Sequence, residues 1–215
     1  MKYRLVIFDF DGTLANTLPW LTGVVNQVAE RYGFRHVPES EREHLRGLDA
    51  HSILKHVGVP LWKTPIIASH VRSLMNAQID QIRLFDGVDR MLRQLSDLGV
   101  TLAMVSSNSE ENVRAVLGPE NASRMSHYDC GASMFGKSAK LRRMLARTGI
   151  AARDAIYIGD EIRDIAAARS ARMAAGAVAW GYNTLPALLA HRPDEVFRHI
   201  DDIVAAVTGT PAHPA

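Results

Sequence analysis

Short runs of consecutive apolar residues recur along the chain, and segments with a helical spacing of apolar residues separate them. Such runs are typical of strands buried on both faces of a sheet, whereas apolar residues three and four positions apart indicate amphipathic helices. The runs lie at residues 3–8, 100–105, 155–158 and 176–180, and a further short strand is predicted near 127–130. Helices are predicted at 88–98, 109–117, 137–148 and 161–171. This alternation predicts an α/β fold, with a parallel sheet covered by helices on both faces.

The stretch between the first two predicted strands has a helical pattern throughout. Apolar residues recur at helical spacing over residues 17–32 and 63–84, and residues 39–57 indicate two short helices separated near Gly47. No strand-like apolar run interrupts this stretch, so we expect an all-α domain inserted into the sheet domain. The predicted parts of the chain are a core domain at 1–16 and 85–207, a helical insertion at 17–84 and a flexible tail at 208–215.

The composition narrows the class of protein. Of the 215 residues 47% are apolar and 22% are charged, and the formal net charge is +2. A near-balanced charge does not favour a nucleic-acid partner, and no stretch approaches the roughly 20 apolar residues of a membrane span. The single cysteine, Cys130, excludes an intrachain disulfide. We therefore expect a cytoplasmic protein without nucleic-acid or membrane partners, and the composition does not indicate its oligomeric state.

Two aspartates directly follow the first predicted strand. Asp9 and Asp11 lie on one side of an extended chain, and Phe10 between them turns toward the core. Ligands of open α/β sheets bind at the carboxyl ends of the strands, and Gly12 allows a sharp turn and a close approach of the backbone to a ligand. An Asp-Gly pair is also common in simple turns. A simple turn does not explain two carboxylates at the end of a fully apolar strand.

A second acidic group follows the predicted strand at 155–158. Asp160 and Asp164 are four residues apart and share a face if a helix begins there. Acidic residues also favour helix N-termini, which would account for one or two of them. Carboxylates gathered from two strand ends would repel one another without a cation. A hard cation that prefers oxygen ligands, such as Mg²⁺, removes this repulsion and also binds phosphate.

Two further segments offer groups that bind phosphoryl oxygens. Ser106, Ser107 and Asn108 follow the predicted strand at 100–105 and provide hydroxyl and backbone N–H groups. Lys137 opens a predicted helix, where it can stabilise charge on a transferring phosphoryl group. Ser and Asn are usual in loops and Lys is usual on surfaces. Neither segment alone therefore indicates a phosphate-binding function, and the prediction rests on the order of all these segments along the chain.

The order and spacing of the four segments resemble the four motifs of the haloacid-dehalogenase-like superfamily. The matching patterns are Asp-x-Asp-Gly-Thr, a strand that ends in Ser, a Lys, and Gly-Asp-x-x-x-Asp, and the resemblance covers residues 3–205. It implies a Rossmann-like core and a phosphatase in which Asp9 is the nucleophile and Asp11 the general acid and base. It also implies phosphoryl contacts from Gly12, Ser106, Ser107, Asn108 and Lys137. Mg²⁺ is then held by Asp9, the main-chain carbonyl of Asp11 and Asp160, and Asp164 either binds the ion directly or supports one of its ligands.

The helical insertion is similar in position to the cap domain of that superfamily. Within the superfamily, residues 47–48, 85–88 and 180–183 resemble the phosphoglycolate phosphatase-like group. This implies Mg²⁺-dependent hydrolysis of a small phosphomonoester, such as 2-phosphoglycolate, through an aspartyl-phosphate. Arg46 and Gly47 are then candidates for substrate recognition from the insertion, because an arginine at the site can pair with a substrate carboxylate.

Other functions on the same fold remain as alternatives. Asp11 argues against dehalogenation, because haloacid dehalogenases lack this second aspartate. The β-phosphoglucomutases carry a His and an Arg where this chain has Leu21 and Ala50, which weakens but does not eliminate a phosphotransferase. A pyrophosphatase would have the same core motifs. A non-catalytic phosphate-binding regulatory protein is expected to have lost a motif aspartate or Lys137, and all of these are present.

Overall fold

A six-stranded parallel sheet forms the centre of the chain. The computed structural model describes residues 1–131 and 136–209. The strands are β1 (Leu5–Phe8), β2 (Thr101–Val105), β3 (Met125–Asp129), β4 (Ala155–Gly159), β5 (Ala174–Val178) and β6 (Glu195–Phe197). They lie in the order β3-β2-β1-β4-β5-β6, and every neighbouring pair is parallel. The α/β fold predicted from the sequence is confirmed.

Helices connect the strands and cover both faces of the sheet. They are α1 (Leu18–Tyr32), α2 (Glu39–Arg46), α3 (Ala50–His56), α4 (Thr64–Ala77), α5 (Val88–Asp97), α6 (Glu110–Arg124), α7 (Lys137–Thr148), α8 (Ile162–Ser170), α9 (Leu185–Ala190) and α10 (Asp201–Thr208). Because successive side chains of a strand point to opposite faces, β1 contributes to two buried clusters. Leu5 and Ile7 share one with α7 and α8, and Val6 and Phe8 share the other with α5, α6 and α10.

The strand order brings the ends of β1 and β4 side by side. The chain proceeds outward from β1 to β2 and β3 on one side, and from β4 to β6 on the other. Ligands of open α/β sheets bind outside the carboxyl ends of the strands at such a divergence. Asp9 directly follows β1 and Asp160 directly follows β4, so the two acidic segments meet there.

The helical insertion contains α1 to α4, and no β-strand lies within residues 17–84. Its two connections to the core pair with each other, because residues 14–16 and 83–85 form backbone N–H···O bonds of 2.8 and 2.9 Å. Trp20 and Met75 belong to a buried cluster that also contains sheet residues. The insertion also has a small cluster of its own, formed by Val37, Leu45, Val57 and Val59. The predicted helices are present, and the division into two domains stays a prediction.

Several boundaries differ from the sequence prediction. The strand predicted at 176–180 is Ala174–Val178, and the helix predicted at 63–84 ends at Ala77. The helix predicted at 109–117 continues to Arg124 across a break at Gly118, where φ is 71° and ψ is 167°. Gly118 and Pro119 indicate a helix end in the sequence, and the mainly polar residues 119–124 carry no apolar periodicity that would predict a further helical turn. The elements α9, β6 and α10 were not resolved from the sequence as separate elements.

Two described residues, Thr208 and Gly209, fall within the flexible tail predicted at 208–215. Thr208 is the final residue of α10, and Gly209 closes the helix with a φ of 78°, so these two residues are ordered parts of a helix end. Residues 210–215 lie outside the described residues. Within the described ranges no helix combines the length and the apolar character that crossing a membrane requires.

Candidate active site

Three carboxylates meet at the carboxyl edge of the sheet. Oxygen atoms of Asp9, Asp160 and Asp164 all lie within 4.8 Å of one another, and the three side chains are buried. Asp9 is held at the end of β1, because its backbone N–H donates to the carbonyl of Ile158 at 2.8 Å. Asp164 lies in the first turn of α8. The structure thus brings together three of the four aspartates predicted as metal ligands.

The ammonium group of Lys137 lies between two of these carboxylates. Its Nζ contacts Oδ2 of Asp9 and lies 2.5 Å from Oδ1 of Asp164. Burial lowers the pKa of Lys137, but the charges of Asp164 and Asp9 outweigh burial and raise the pKa overall. Lys137 therefore stays protonated and contributes a positive charge within the acidic cluster. The segment before it, residues 132–135, lies outside the described residues.

The acidic cluster has more negative charge than Lys137 can neutralise. Burial raises the pKa of Asp9, an effect that Lys137 opposes and Asp164 reinforces. Burial also raises the pKa of Asp160 well above its usual range, and the charges of Glu161 and Asp164 raise it further. Buried carboxylates are costly unless cations compensate them. The cluster therefore has both the oxygen donors and the charge excess that suit a divalent cation such as Mg²⁺.

Asp11 occupies a separate position beside the cluster. The Nδ2 group of Asn108 donates to both of its carboxylate oxygens, at 3.2 and 3.1 Å. Burial and the nearby charge of Asp9 raise the pKa of Asp11 to about 7. A carboxyl group with a pKa near neutrality can both give and accept a proton, which is what general acid–base catalysis requires.

Gly12 and Thr13 join the first acidic segment to Asp160. Gly12 has a φ of 73°, and a Cβ atom placed there would lie 2.2 Å from Oδ2 of Asp160. Only glycine accommodates both the left-handed backbone and this close approach. The hydroxyl of Thr13 donates to Oδ1 of Asp160 at 2.8 Å. The turn after β1 therefore positions the carboxylate that follows β4.

The predicted phosphate-binding loop follows β2. Ser106 is fully buried, and its Oγ accepts a hydrogen bond from the backbone N–H of Asn108 at 3.1 Å. The carbonyl of Ser107 accepts a hydrogen bond from Arg72 of α4 at 3.3 Å. Ser107 and Asn108 line the same cavity as Asp9 and Asp11. The loop thus adjoins the carboxylates, as the sequence predicted.

Residues 181–183 connect the acidic cluster to the helical insertion. The backbone N–H of Tyr182 donates to Oδ2 of Asp160 at 2.8 Å, and Oδ1 of Asn183 accepts from the backbone N–H of Ile162 at 2.9 Å. On the other side, Nδ2 of Asn183 donates to the carbonyls of Arg46 and Leu48, at 2.7 and 2.9 Å. The same residues therefore contact the metal-binding candidates and the insertion.

The structure places Arg46 at this junction. Its Nε and Nη2 donate to the carbonyls of Tyr182 and Gly181, both at 3.1 Å, and its Nη1 pairs with Glu43 at 2.9 Å. Neither Arg46 nor Gly47 is among the residues that line the cavity. Their predicted part in substrate recognition stays a prediction, and the contacts observed for Arg46 are with the backbone of the core.

Gly181 provides a test of how tightly this junction packs. A Cβ atom on Gly181 would lie 2.1 Å from Cβ of Asp160, whereas one on Gly23 of α1 would meet nothing within 4 Å. We expect Gly181→Ala to lower the free energy of unfolding by about 1–3 kcal/mol through overpacking. Gly23→Ala is expected to raise it by roughly 0.5–1 kcal/mol, since alanine favours the helix. Denaturant unfolding followed by circular dichroism measures both, and equal effects would contradict the packing argument.

A cavity of about 310 Å³ extends from the carboxylates into the helical insertion. Asp9, Asp11, Glu161 and Arg163 line its core end. Residues of the insertion that line it are mainly apolar, namely Trp20, Leu21, Val25, Val28, Phe34, Val37, Ile53, Leu54, Val57, Val59, Ile67, Ala68, Val71 and Met75, together with Thr64 and Arg72. A substrate bound at Asp9 would therefore contact the core at one end and the insertion at the other.

Thr13, Arg72, Tyr182 and Asn183 are among the contact residues that were absent from the set of site residues predicted from the sequence. Thr13, Tyr182 and Asn183 lie within segments that resemble family motifs. Their polar side chains could have identified them as further site residues. Arg72 has no such signal, because its position depends on how α4 packs against the loop after β2.

Comparisons with known proteins are consistent with this geometry. A family model described as haloacid dehalogenase-like hydrolase matches residues 6–178. A phosphoglycolate phosphatase of Synechococcus elongatus is 32% identical over 206 residues, which cover 95% of this chain and 97% of that protein. A phosphoglycolate phosphatase of Xanthomonas campestris is 28% identical, with 83% and 84% covered. The solved structure of a haloacid dehalogenase-like hydrolase from Streptococcus pneumoniae superposes with a TM-score of 0.78 at 19% identity, and 95% of this chain and 98% of that chain are covered.

Proposed function

Because the chain belongs to the haloacid-dehalogenase-like hydrolases, we propose that it is a phosphatase that hydrolyses small phosphomonoesters through a phosphorylated Asp9. The observation that carries the proposal is the convergence of Asp9, Asp160 and Asp164 at the carboxyl edge of the sheet, where Lys137 pairs with Asp9 and Asp164. A nucleophile, a fixed cation and further carboxylate oxygens are thereby within reach of one bound phosphoryl group.

In the proposed reaction Asp9 and Asp11 have complementary roles. A carboxylate oxygen of Asp9 attacks phosphorus, and the bond between phosphorus and the leaving oxygen breaks. Asp11, whose pKa of about 7 leaves a protonated fraction near neutrality, gives its proton to that leaving oxygen. Asp11 then accepts a proton from the water that attacks the phosphorylated Asp9, which releases phosphate and restores both side chains.

The phosphoryl oxygens are proposed to bind the loop after β2 and Lys137. Ser106, Ser107 and Asn108 supply hydroxyl, amide and backbone N–H donors. Lys137 is already held by Asp9 and Asp164, so its charge needs no rearrangement when the negative charge of the transition state develops. Gly12 allows the backbone to approach the phosphoryl group from the other side.

Mg²⁺ is the proposed cofactor, and the residues present fit it. Asp9, Asp160, Asp164 and the main-chain carbonyl of Asp11 would supply oxygen ligands. Burial raises the pKa of Asp9 and Asp160, and a cation bound between these carboxyls would favour their ionised forms. A bound Mg²⁺ neutralises negative charge on the phosphoryl oxygens. Asp164 also accepts from the backbone N–H of Glu161 at 3.0 Å, which fixes its orientation.

Mg²⁺ is expected to raise the thermal unfolding temperature more at pH 7.5 than at pH 5.5. Burial raises the pKa of Asp11, beside the cluster, to about 7, above the usual value of about 3.8. Protonated carboxyls therefore favour the folded state below about pH 4, and this stabilisation is lost as pH rises toward 7. Asp9 and Asp160 shift in the same direction. Mg²⁺ would bind the ionised side chains of Asp9 and Asp160, so its contribution to stability grows as these two carboxyls lose their protons.

Differential scanning fluorimetry with and without Mg²⁺ at each pH measures this effect. Because samples with and without Mg²⁺ are compared at the same pH, the effects of the protein's other titrating groups on stability cancel in the difference. Asp160→Asn serves as the control, since it removes a proposed ligand and should abolish the response. Equal Mg²⁺ shifts at both pH values, or an undiminished shift in Asp160→Asn, would contradict the proposed metal site.

The identity of the substrate is open to several candidates. The name of the relatives makes 2-phosphoglycolate the reference compound. A β-phosphoglucomutase-like phosphotransferase is less favoured, because Leu21 lines the cavity where those enzymes carry a histidine. A pyrophosphatase and a non-catalytic phosphate-binding protein would keep the same core. Cytoplasmic location and the absence of nucleic-acid and membrane partners stay predictions.

Release of inorganic phosphate tests the proposal directly. The intact chain is incubated with an aryl phosphate, 2-phosphoglycolate, a hexose phosphate and pyrophosphate, with Mg²⁺ or with a chelator. We expect Mg²⁺-dependent release from phosphomonoesters. Conversion of a hexose phosphate to its isomer without release would favour the phosphotransferase, and no turnover of any compound would favour the non-catalytic protein.

A further inference from the structure

The charged groups of the cavity all gather at its core end. Asp9 and Asp11 follow β1, and Glu161 and Arg163 lie at the start of α8, where their side chains pair at 2.7 Å. Arg72 is the one charged residue that the described insertion contributes to the lining, and it donates to the carbonyl of Ser107 in the core. A phosphoryl group at Asp9 would thus have every charged lining residue near it.

The far end of the cavity is hydrocarbon. It lies within the insertion, where side chains of α1, α3 and α4 such as Val25, Val28, Ile53 and Ile67 form the wall. Thr64 is the uncharged polar exception among the aliphatic residues there. Moving a carboxylate into such surroundings without a partner is strongly unfavourable, whereas moving a methylene group there is favourable.

The size of the cavity points the same way. At about 310 Å³ it falls within the range of roughly 300–1,000 Å³ that is common for small-molecule sites. A two-carbon acid such as glycolate would stay at the core end of the cavity and leave most of the apolar wall without a contact.

We propose that this cavity selects phosphomonoesters whose leaving group carries a hydrocarbon chain or ring of several carbons, in preference to 2-phosphoglycolate. The inference rests on the proposed phosphatase function, since it concerns the group that departs when Asp9 is phosphorylated. The phosphoryl group binds at the carboxylates, and the hydrocarbon part extends between α1, α3 and α4.

A series of n-alkyl phosphates from methyl to hexyl tests the proposal, because the leaving alcohols have similar reactivity and differ in apolar surface. Each buried methylene contributes about 0.8 kcal/mol, which is roughly fourfold in kcat/KM. We expect kcat/KM to rise at least about tenfold from methyl to hexyl phosphate, and hexyl phosphate to exceed 2-phosphoglycolate.

Two variants of α4 locate the effect in the cavity. Ala68 lines the cavity, whereas its neighbour Ser69 is exposed. Ala68→Leu fills part of the hydrocarbon end and should reduce the hexyl-to-methyl ratio of kcat/KM about tenfold or more. Ser69→Leu adds the same kind of side chain on the solvent side and should leave the ratio as it is. Circular dichroism spectra and unfolding midpoints close to those of the natural chain show that both variants are folded.

The outcomes separate this inference from the proposed function. Phosphate release that does not rise with chain length, or that is fastest with 2-phosphoglycolate, overturns the hydrocarbon preference and leaves the phosphatase in place. A rise with chain length that Ala68→Leu does not reduce overturns the assignment to this cavity. No release from any phosphomonoester overturns the proposed function, and the inference with it.

Discussion

Replacement of Asp9 by Asn is expected to abolish phosphate release while the chain remains folded. The amide keeps nearly the same shape and the acceptor for the backbone N–H of Phe10, which donates to Oδ1 of Asp9 at 2.8 Å. It cannot form the acyl phosphate, however, because a neutral amide oxygen is a far weaker nucleophile than a carboxylate. Loss of the nucleophile costs on the order of 10⁶-fold in kcat in another covalent hydrolase. We expect a loss of at least roughly 10⁴-fold here.

Steady-state phosphate release and rapid acid quench measure this effect. The quench should find one phosphoryl group on the peptide that contains Asp9 in the natural chain and none in Asp9→Asn. Asp97→Asn is the matched control, because Asp97 is an exposed aspartate at the end of α5 and its change should leave turnover as it was. Turnover in Asp9→Asn within about tenfold of the natural chain would show that Asp9 is not the nucleophile.

The sequence reveals the core of this site well because the necessary information is local. An apolar strand that ends in aspartates needs only the period of a strand and the rule that ligands bind at the carboxyl ends of parallel strands. Asp9 and Asp160 follow adjacent strands, and the pairing of β1 with β4 in the structure brings their oxygen atoms within 4.8 Å of one another. The two acidic segments therefore meet as predicted.

The contacts of Asp164 illustrate the limit of such local reasoning. Its position as an acidic residue in the first turn of α8 is a capping arrangement with Glu161, which sequence rules alone could explain. That its other oxygen also binds Lys137 depends on the packing of α7 beside α8. Sequence spacing contains no information about that packing.

The insertion shows the same limit more strongly. The sequence makes Arg46 a reasonable candidate for substrate recognition, because it is a cation next to Gly47 in the segment expected to face the site. In the folded chain its guanidinium binds the carbonyls of Gly181 and Tyr182, and Arg72 of α4 lies at the cavity instead. Which of several surface arginines faces a site is decided by how helices pack on the core, and helical periodicity does not specify that packing.

Replacement of Lys137 by Met is expected to reduce both stability and turnover. The side chain is similar in length and packs without its charge, so Asp9 and Asp164 would be left as buried carboxylates without their cation. Removing one partner from a buried ion pair typically costs about 3–5 kcal/mol, and we expect a decrease of this size in the free energy of unfolding. Loss of a donor that stabilises transition-state charge costs about 10²–10³-fold in kcat.

A second substitution distinguishes this electrostatic cause from loss of packing. Adding Asp164→Asn to Lys137→Met removes one of the two uncompensated carboxylates, so stability should recover by about 1 kcal/mol or more relative to Lys137→Met alone, while turnover stays low. Lys55→Met, at an exposed position of α3, controls for the substitution itself and should change neither quantity by much. Chemical denaturation and phosphate release measure the two effects on the same samples. The opposite result would be additivity, in which Asp164→Asn lowers the free energy of unfolding by the same amount in Lys137→Met as in the natural chain. Lys137 and Asp164 would then not be coupled, and Lys137 would stabilise the fold by packing and not by its charge.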